Sequence, residues 1–421
     1  MTRGSRHRRS AISAVVIALA LVAAACGSSS KSSSSSGTTL PKPTGTPLKI
    51  GWIGTITTAT GAAPNGGKDA LDAWVQSTNA SGGVNGHPVT AVYADDKGDP
   101  AVGLAAMKDL VENQHVIAIV GENAGSTDQT WGPYMVTKQV PVVNGYAGDA
   151  LAFTNPMFFL TAGAVTANLW GQMESASKAG ATRVGILLCT ESPACAQAQP
   201  LFDLQAKAVG LTMVANLLAS ATQASYTAEC LTFKNGNAQA VAAFVNLNVF
   251  VRDCARQNYN PITINSNLLP NLNTIKASPE LIGGTISGSS EQWPCVDPKA
   301  PGAPALYTAL KTYHPDWAPG GKNNALFSSD ICASWAGGLA FAKAIQNAAV
   351  ASGATATSAD VIRGLSMFKN ETLGGVAPNS TFNDGTKPNP LNPCVFLYKW
   401  VKGVFQSVPG PDAIYTCKPA A

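Results

Sequence analysis

Short apolar runs alternate with longer helical stretches from Leu48 onward, and a chain patterned this way folds as an α/β protein on parallel sheets. Strands are expected at 48–54, 89–93, 116–120 and 140–143, with helices at 68–79, 100–112 and 127–138 between them. A second set follows: strands at 183–188, 211–218, 240–245 and 262–265, with helices at 196–208, 226–234 and 249–257. After a strand at 285–287 come helices at 304–313, 329–349 and 358–365, then a hairpin of 394–401 and 404–408 around Lys402-Gly403. Strands joined through helical segments imply right-handed crossovers.

Local signals mark several helix starts. Asp99-Pro100 puts a capping side chain before a proline whose missing N–H costs nothing in a first turn. Ser126 with Gln129 has capping-box spacing. Pro133, inside the same helix, removes a backbone bond and predicts a kink.

The first 47 residues read differently. A basic leader (Arg3, Arg6, Arg8, Arg9) and an apolar run from Ala11 to Ala25 precede Cys26 and a serine-rich stretch. At about 15 residues the run is too short to span a bilayer and fits a cleavable signal peptide. Ala23-Ala24-Ala25-Cys26 resembles a lipobox with Ala23 in the usual leucine place, so residues 1–25 are expected as signal peptide and Cys26 as the lipidated residue. Residues 26–47 then form a Ser/Pro-rich tether.

Loss of that leader removes four arginines and no acids, leaving 24 basic against 24 acidic residues. A neutral chain without a concentrated basic face argues against nucleic acid as a partner. Besides Cys26 there are eight cysteines, an even number that reads as disulfides in an exported protein. Nearest-neighbour pairing is the expectation: Cys189 with Cys195, Cys230 with Cys254, Cys295 with Cys332 and Cys394 with Cys417. Zinc is the rival reading, but there is no C-x-x-C and no histidine close to a cysteine, so no metal and no cofactor is expected.

The order and spacing of Leu48-Lys49-Ile50-Gly51, Asn79-Ala80-Ser81-Gly82-Gly83-Val84-Asn85-Gly86, Tyr93-Ala94-Asp95-Asp96-Lys97-Gly98-Asp99-Pro100 and Ile119-Val120-Gly121 resemble the leucine/isoleucine/valine-binding type of extracellular solute-binding protein of ABC importers. Residues 254–261, 281–285 and 327–338 extend the likeness. The resemblance implies the type I periplasmic-binding fold: two doubly wound parallel-sheet lobes joined by three crossover strands, placed near 159–164, 286–292 and 377–383. Lobe 1 would hold 48–162 and 290–378, and lobe 2 would hold 163–289 and 379–421 with its terminal hairpin.

Ligands of parallel α/β sheets sit outside the carboxyl ends of strands. There, backbone N–H groups at the start of a helix receive acceptor oxygens. Asn123, Ala124, Gly125 and Ser126 occupy such a loop. The resemblance makes it the ligand's carboxylate site, with a second contact from the loop containing Tyr146, Ala147 and Gly148. Glu191, Asn246, Ser266 and Trp293 complete the candidate ligand-binding set, and Trp52 is a weaker aromatic candidate. The amino-acid binders have Tyr-Gly where this chain reads Glu191-Ser192-Pro193-Ala194-Cys195, and an acid near what is here Asn265-Ser266-Asn267. An α-ammonium therefore needs Glu191, Glu291 or Asp330 as its partner.

Asp95 and Asp96 are expected to satisfy turn N–H groups. Gly66-Gly67-Lys68-Asp69 fails as a phosphate loop, and neither G-x-S-x-G nor H-E-x-x-H occurs, so no catalytic residue is expected. These features point to a monomeric, lipid-anchored receptor on the outer face of the cell membrane that captures a small polar or amphipathic solute and delivers it to an ABC permease. A sensor of the same fold serving a signalling partner is the alternative, and a surface interaction module is a further rival.

Overall fold

The computed structural model describes residues 42–58, 61–62, 65–145, 151–191, 193–266, 275, 277–290, 293–402, 404–408 and 415–420. The leader, Cys26 and residues 27–41 of the tether lie outside the described residues, while at the tether's end Gly45 N donates to Gly86 O at 3.0 Å and Thr46 N to Ser352 O at 2.8 Å.

Five strands form the first sheet: β1 (Leu48–Gly54), β2 (Val89–Asp95), β3 (Ile119–Glu122), β4 (Val142–Gly145) and β5 (Phe158–Phe159), in the order β2-β1-β3-β4-β5 and all parallel. β1 is buried at six of its seven positions, because a parallel strand covered on both faces has no wet side. Between these strands run α1 (Gly66–Ala80), α2 (Pro100–Lys108) and α3 (Asp128–Lys138). Asn65 caps α1 by accepting from Lys68 N at 3.0 Å. Asp99 caps α2 as expected, accepting from Ala101 N and Val102 N, with Pro100 in the first turn.

The second sheet has eight strands: β6 (Arg183–Cys189), β7 (Thr212–Ala219), β8 (Ala240–Ala243), β9 (Ile262–Ser266), β10 (Thr285–Ser290), β11 (Cys394–Val401), β12 (Val404–Val408) and β13 (Thr416–Cys417). Their order is β12-β11-β10-β9-β8-β6-β7, with β13 on β11. The five from β6 to β10 pair in parallel, while β11 to β13 pair antiparallel. Helices α4 (Val165–Lys178), α5 (Pro193–Ala208), α6 (Thr227–Asn235) and α7 (Leu247–Ala255) cover it. Separate apolar cores line its two faces, one around Met173, Phe202 and Ile186 and one around Phe233, Phe250 and Leu281.

The chain returns to the first lobe after β10. There α8 (Ala303–Tyr313) packs on α1, and α9 (Ser329–Asn347) lies across α1, β3 and β4, with α10 (Ser358–Ser366) outside it. α9 buries Ile331, Trp335 and Phe341 in the same core as Trp52 and Trp74. Gly337 permits this approach, since a β-carbon there would stand 3.0 Å from Gly121 N and Val143 O. The segments leading out of β5 and into β11 run side by side: Asn389 Nδ2 donates to Phe158 O at 2.8 Å and Ala164 N to Asn392 O at 2.8 Å. Two doubly wound lobes therefore share three passages of chain.

All four disulfides form in nearest-neighbour order, Cys189–Cys195, Cys230–Cys254, Cys295–Cys332 and Cys394–Cys417, which leaves none of these cysteines as a metal-binding thiolate. Among the described residues no helix is long and apolar enough to cross a membrane.

Candidate functional site

The carboxyl ends of the first sheet converge on one rim. Asp95, at the end of β2, accepts from Ile56 N at 2.9 Å, Thr57 N at 3.2 Å and Lys97 N at 3.0 Å, and from the Thr57 hydroxyl. Asp96 accepts from Thr55 Oγ1 at 2.7 Å, Gly98 N at 2.9 Å and Thr127 Oγ1 at 2.7 Å. These two acids fix the loops leaving β1 and β2 and tie them to the loop leaving β3. Their work is the turn satisfaction the sequence suggests. Burial opposes ionisation of Asp95, but its donors, Thr57 foremost, hold it down at about 2.

Residues 121–127 leave β3 in a shape only glycine accepts cheaply. Gly121 has φ 64°, and a β-carbon on it would meet Ser334 Cα at 2.6 Å. Ser334 Oγ donates to Gly121 O at 2.6 Å, and Glu122, buried, accepts from Ala124 N at 2.7 Å. Asn123 continues the ladder, taking Ile53 O and giving its own carbonyl to Thr55 N.

A 3₁₀ turn over Gly125–Thr127 then runs straight into α3. The expected cap at Ser126 is corrected here: Thr127 occupies the cap position, its helical φ −70° and ψ −22° continue the 3₁₀ turn, and its hydroxyl lies 2.7 Å from Asp96 and makes no cap bond. Gly125 has φ 52° and open space where a β-carbon would stand.

The penultimate residue of β4, Asn144, is fully buried with φ 58°. Its amide donates to Ala333 O at 2.8 Å and its carbonyl oxygen accepts from Thr161 N at 3.2 Å, joining β4, α9 and the passage out of β5. Asp330, in the first turn of α9, meets Ser328 Oγ at 3.1 Å and the side chain of Asn123. Burial pushes its carboxyl up, and those two hydrogen bonds oppose the rise.

The second lobe's rim is built from Glu191 and Asn246. Glu191 accepts from Thr190 N, from Ala221 N at 2.9 Å and from the Ser220 hydroxyl, which chiefly holds its carboxyl below the usual range. Asn246 caps α7 by accepting from Val249 N at 3.4 Å, and its own N–H bonds Ala221 O at 3.1 Å. Tyr226 OH donates to Ser220 O at 2.9 Å, so the loops leaving β6, β7 and β8 are bound together. The Cys189–Cys195 bridge closes the loop carrying Glu191.

The expected residues thus fall into groups. Asn123, Ala124 and Gly125 stand together on the first rim, and Glu191 and Asn246 on the second. Ser266 ends β9, but its side chain and that of Ser126 lie outside the described residues, as do Tyr146, Ala147, Gly148 and Glu291. Trp293 is buried in the first lobe's core, with Gly302 and Val376 against it. Trp52 is likewise core, 6.3 Å from the Tyr93 ring. Sequence reasoning missed Asn65, Thr55 and Thr57. An Asn three residues before Lys68, ahead of a helical run, was the signal for the first of these.

A family model described as periplasmic binding protein matches residues 47–404. Among solved structures, a branched chain amino acid ABC transporter from Thermus thermophilus with bound valine has a TM-score of 0.67 at 14% identity, over 86% of this chain and 96% of that one. A leucine binding protein from Thermotoga maritima reaches 0.64 at 13%, covering 87% and 99%. A periplasmic binding protein type 1 from Bordetella pertussis reaches 0.62 at 19%, covering 86% and 99%. These likenesses concern the fold. No curated protein matches the sequence.

Proposed function

The chain belongs to the periplasmic binding protein family, and from that membership we propose that it is a lipid-anchored receptor handing one small solute to an ABC permease. A solute-binding role comes with the family. The finer steps, capture between lobes 48–162 with 290–378 and 163–289 with 379–421, delivery to a permease, and anchoring through Cys26, are our reading.

The observation that carries it is the convergence of the loops leaving β1, β2, β3 and β4 on one rim, held rigid by Asp95, Asp96 and Asn144. Beside that frame, the N–H groups of Asn123 and Ala124 are taken by Ile53 O and Glu122, which leaves the Gly125–Ser126 backbone at the start of α3 to meet the acceptor oxygens of a small polar molecule. Asn123, Ala124, Gly125, Ser126, Tyr146, Ala147 and Gly148 would hold the ligand from the first lobe, and Glu191, Asn246 and Ser266 from the second. Trp293 would then act from beneath, through packing.

Thermal melting against a metabolite panel, with small-angle scattering of each hit, tests capture. A binder should raise the melting temperature by mass action and shrink the radius of gyration as lobes close. If the protein binds no member and never compacts, the reading fails. Anchoring has its own check: Cys26→Ser should move the protein from the membrane fraction to the soluble one.

A further inference from the structure

The three passages between the lobes gather over one place in the second sheet. One leaves the end of β10 after Ser290, another enters β11 at Cys394, and the one out of β5 lies against that entry, where a β-carbon on Gly163 would clash with Cys394 O. In the strand order β12-β11-β10-β9-β8-β6-β7 the hinge therefore stands over β10 and β11. Ser266, Asn246 and Glu191, at or just beyond the ends of β9, β8 and β6, lie on one side of it, and β12 lies on the other.

On that far side the lobes are joined directly. Asp297, in the turn that leads the returning chain toward α8, accepts from Ser407 Oγ of β12 at 3.0 Å and from Ser407 N at 3.3 Å. Its other oxygen takes Lys299 N at 2.9 Å and its carbonyl takes Ala300 N at 2.9 Å, so the acceptor is fixed by its own turn. Beside it, Phe396 and Tyr398 of β11 are buried in the first lobe's core, and the Phe405 ring stacks on Tyr398 at 5.4 Å. Beyond these contacts the surfaces part, leaving a cleft of about 740 Å³ lined by Tyr307 and Phe327 from the first lobe and by Trp400 and Phe405 from the second. The join is narrow, and Asp297 with Ser407 is its polar part. At the front, by contrast, the bonds of Asp95, Asp96 and Ser334 stay within the first lobe, and those of Glu191, Asn246 and Tyr226 within the second.

Resting on the solute-receptor reading above, we propose that Asp297 and Ser407 are positioning residues for lobe closure, a clasp behind the hinge that holds the rims apart and sets how tightly a solute is bound. Contacts on opposite sides of a hinge cannot both shorten, so a rotation that brings the loop of Asn123 toward Glu191 and Asn246 stretches the clasp. A receptor whose binding-competent form is a minor population binds with affinity reduced by that fraction, and weakening the competing contact restores it. Neither residue lies on a rim, so the clasp tunes affinity and leaves selectivity alone.

Small-angle scattering of ligand-free protein reads the closure, and melting against the same metabolite panel reads affinity. Asp297→Ala removes the acceptor, and Ser407→Asp sets two carboxylates against each other. Both should lower the radius of gyration with no solute present and raise affinity at least about threefold for each panel member that binds, with the ranking of members unchanged. Moving the acid across the gap, Asp297→Ser together with Ser407→Asp, should return both readings toward wild type, because hydroxyl and carboxylate still meet, and a merely structural defect would not be rescued this way. If Asp297→Ala disturbs its own turn, Ser407→Asp, which leaves that turn alone, carries the test. Variants as expanded as wild type with the same affinities, or more expanded and weaker in binding, overturn the clasp and leave the receptor intact. A panel of which no member binds any of these proteins overturns the receptor reading, and the ligand-free scattering then decides the clasp by itself.

Discussion

Asn144 Nδ2 donates to the carbonyl of Ala333 at 2.8 Å across 189 positions of sequence, and the same side chain receives Thr161 N. One buried amide therefore holds a strand end, a late helix and an interlobe passage in register.

Removing it should be costly. Asn144→Ala takes a hydrogen bond from each of two buried groups, Ala333 O and Thr161 N, and at about 1–3 kcal/mol for each the loss is about 2–6 kcal/mol. Urea unfolding followed by circular dichroism measures it. A loss under about 1 kcal/mol would show that the junction does not depend on this side chain.

Two glycine positions separate steric from conformational strain. Gly121→Ala must place a methyl 2.6 Å from Ser334 Cα at φ 64°, and should cost more than about 3 kcal/mol or prevent folding. Gly180→Ala, at φ 93° with nothing within 4 Å, should cost about 1–2 kcal/mol from backbone strain alone. Equal melting temperatures for the two variants would contradict the close packing of α9 on β3.

Asp95 predicts an acid-side effect. Its carboxyl is held at about 2 when folded against 3.8 otherwise, so its contribution is present above the unfolded value and is lost as pH falls through the folded one. Asp95→Asn should melt below wild type at neutral pH, and the gap should close between the two values. A gap that stays constant down to the folded value would sink the assignment.

The disulfides should differ in reach. Cys295 and Cys332 are fully buried and 37 residues apart, so replacing both with alanine should cost about 3–4 kcal/mol. Cys189 and Cys195 are part-exposed and only 6 apart, and mass spectrometry after mild reduction and alkylation should find them modified before the buried pair.

Much of this architecture was legible in the chain. β1 spans its apolar run, 48–54, and α2 starts where Asp99-Pro100 signals it, because both depend on neighbours in sequence. Strand β3 was expected at 116–120 and lies at 119–122. It ends on Gly121 and a buried Glu122, and a glycine at positive φ beside an acid reads as loop until tertiary contacts with Ser334 are known. Ser126 misled for the same reason: its capping-box spacing is local, whereas Asp96, which engages Thr127, is 31 residues away. The frame of the first rim was legible as loops at strand ends. Asp330 was legible only as one of three acids, beside Glu191 and Glu291, since α9 reaches those loops only in the folded chain.

That late helix also dictates when the first lobe can exist. Strands β3 and β4 keep an uncovered apolar face until Ser329–Asn347 has been made, long after their own synthesis is complete. Folding of this half of the molecule must therefore wait for nearly the whole chain, and any fragment that stops short of Ser329 presents to proteases a sheet that cannot close.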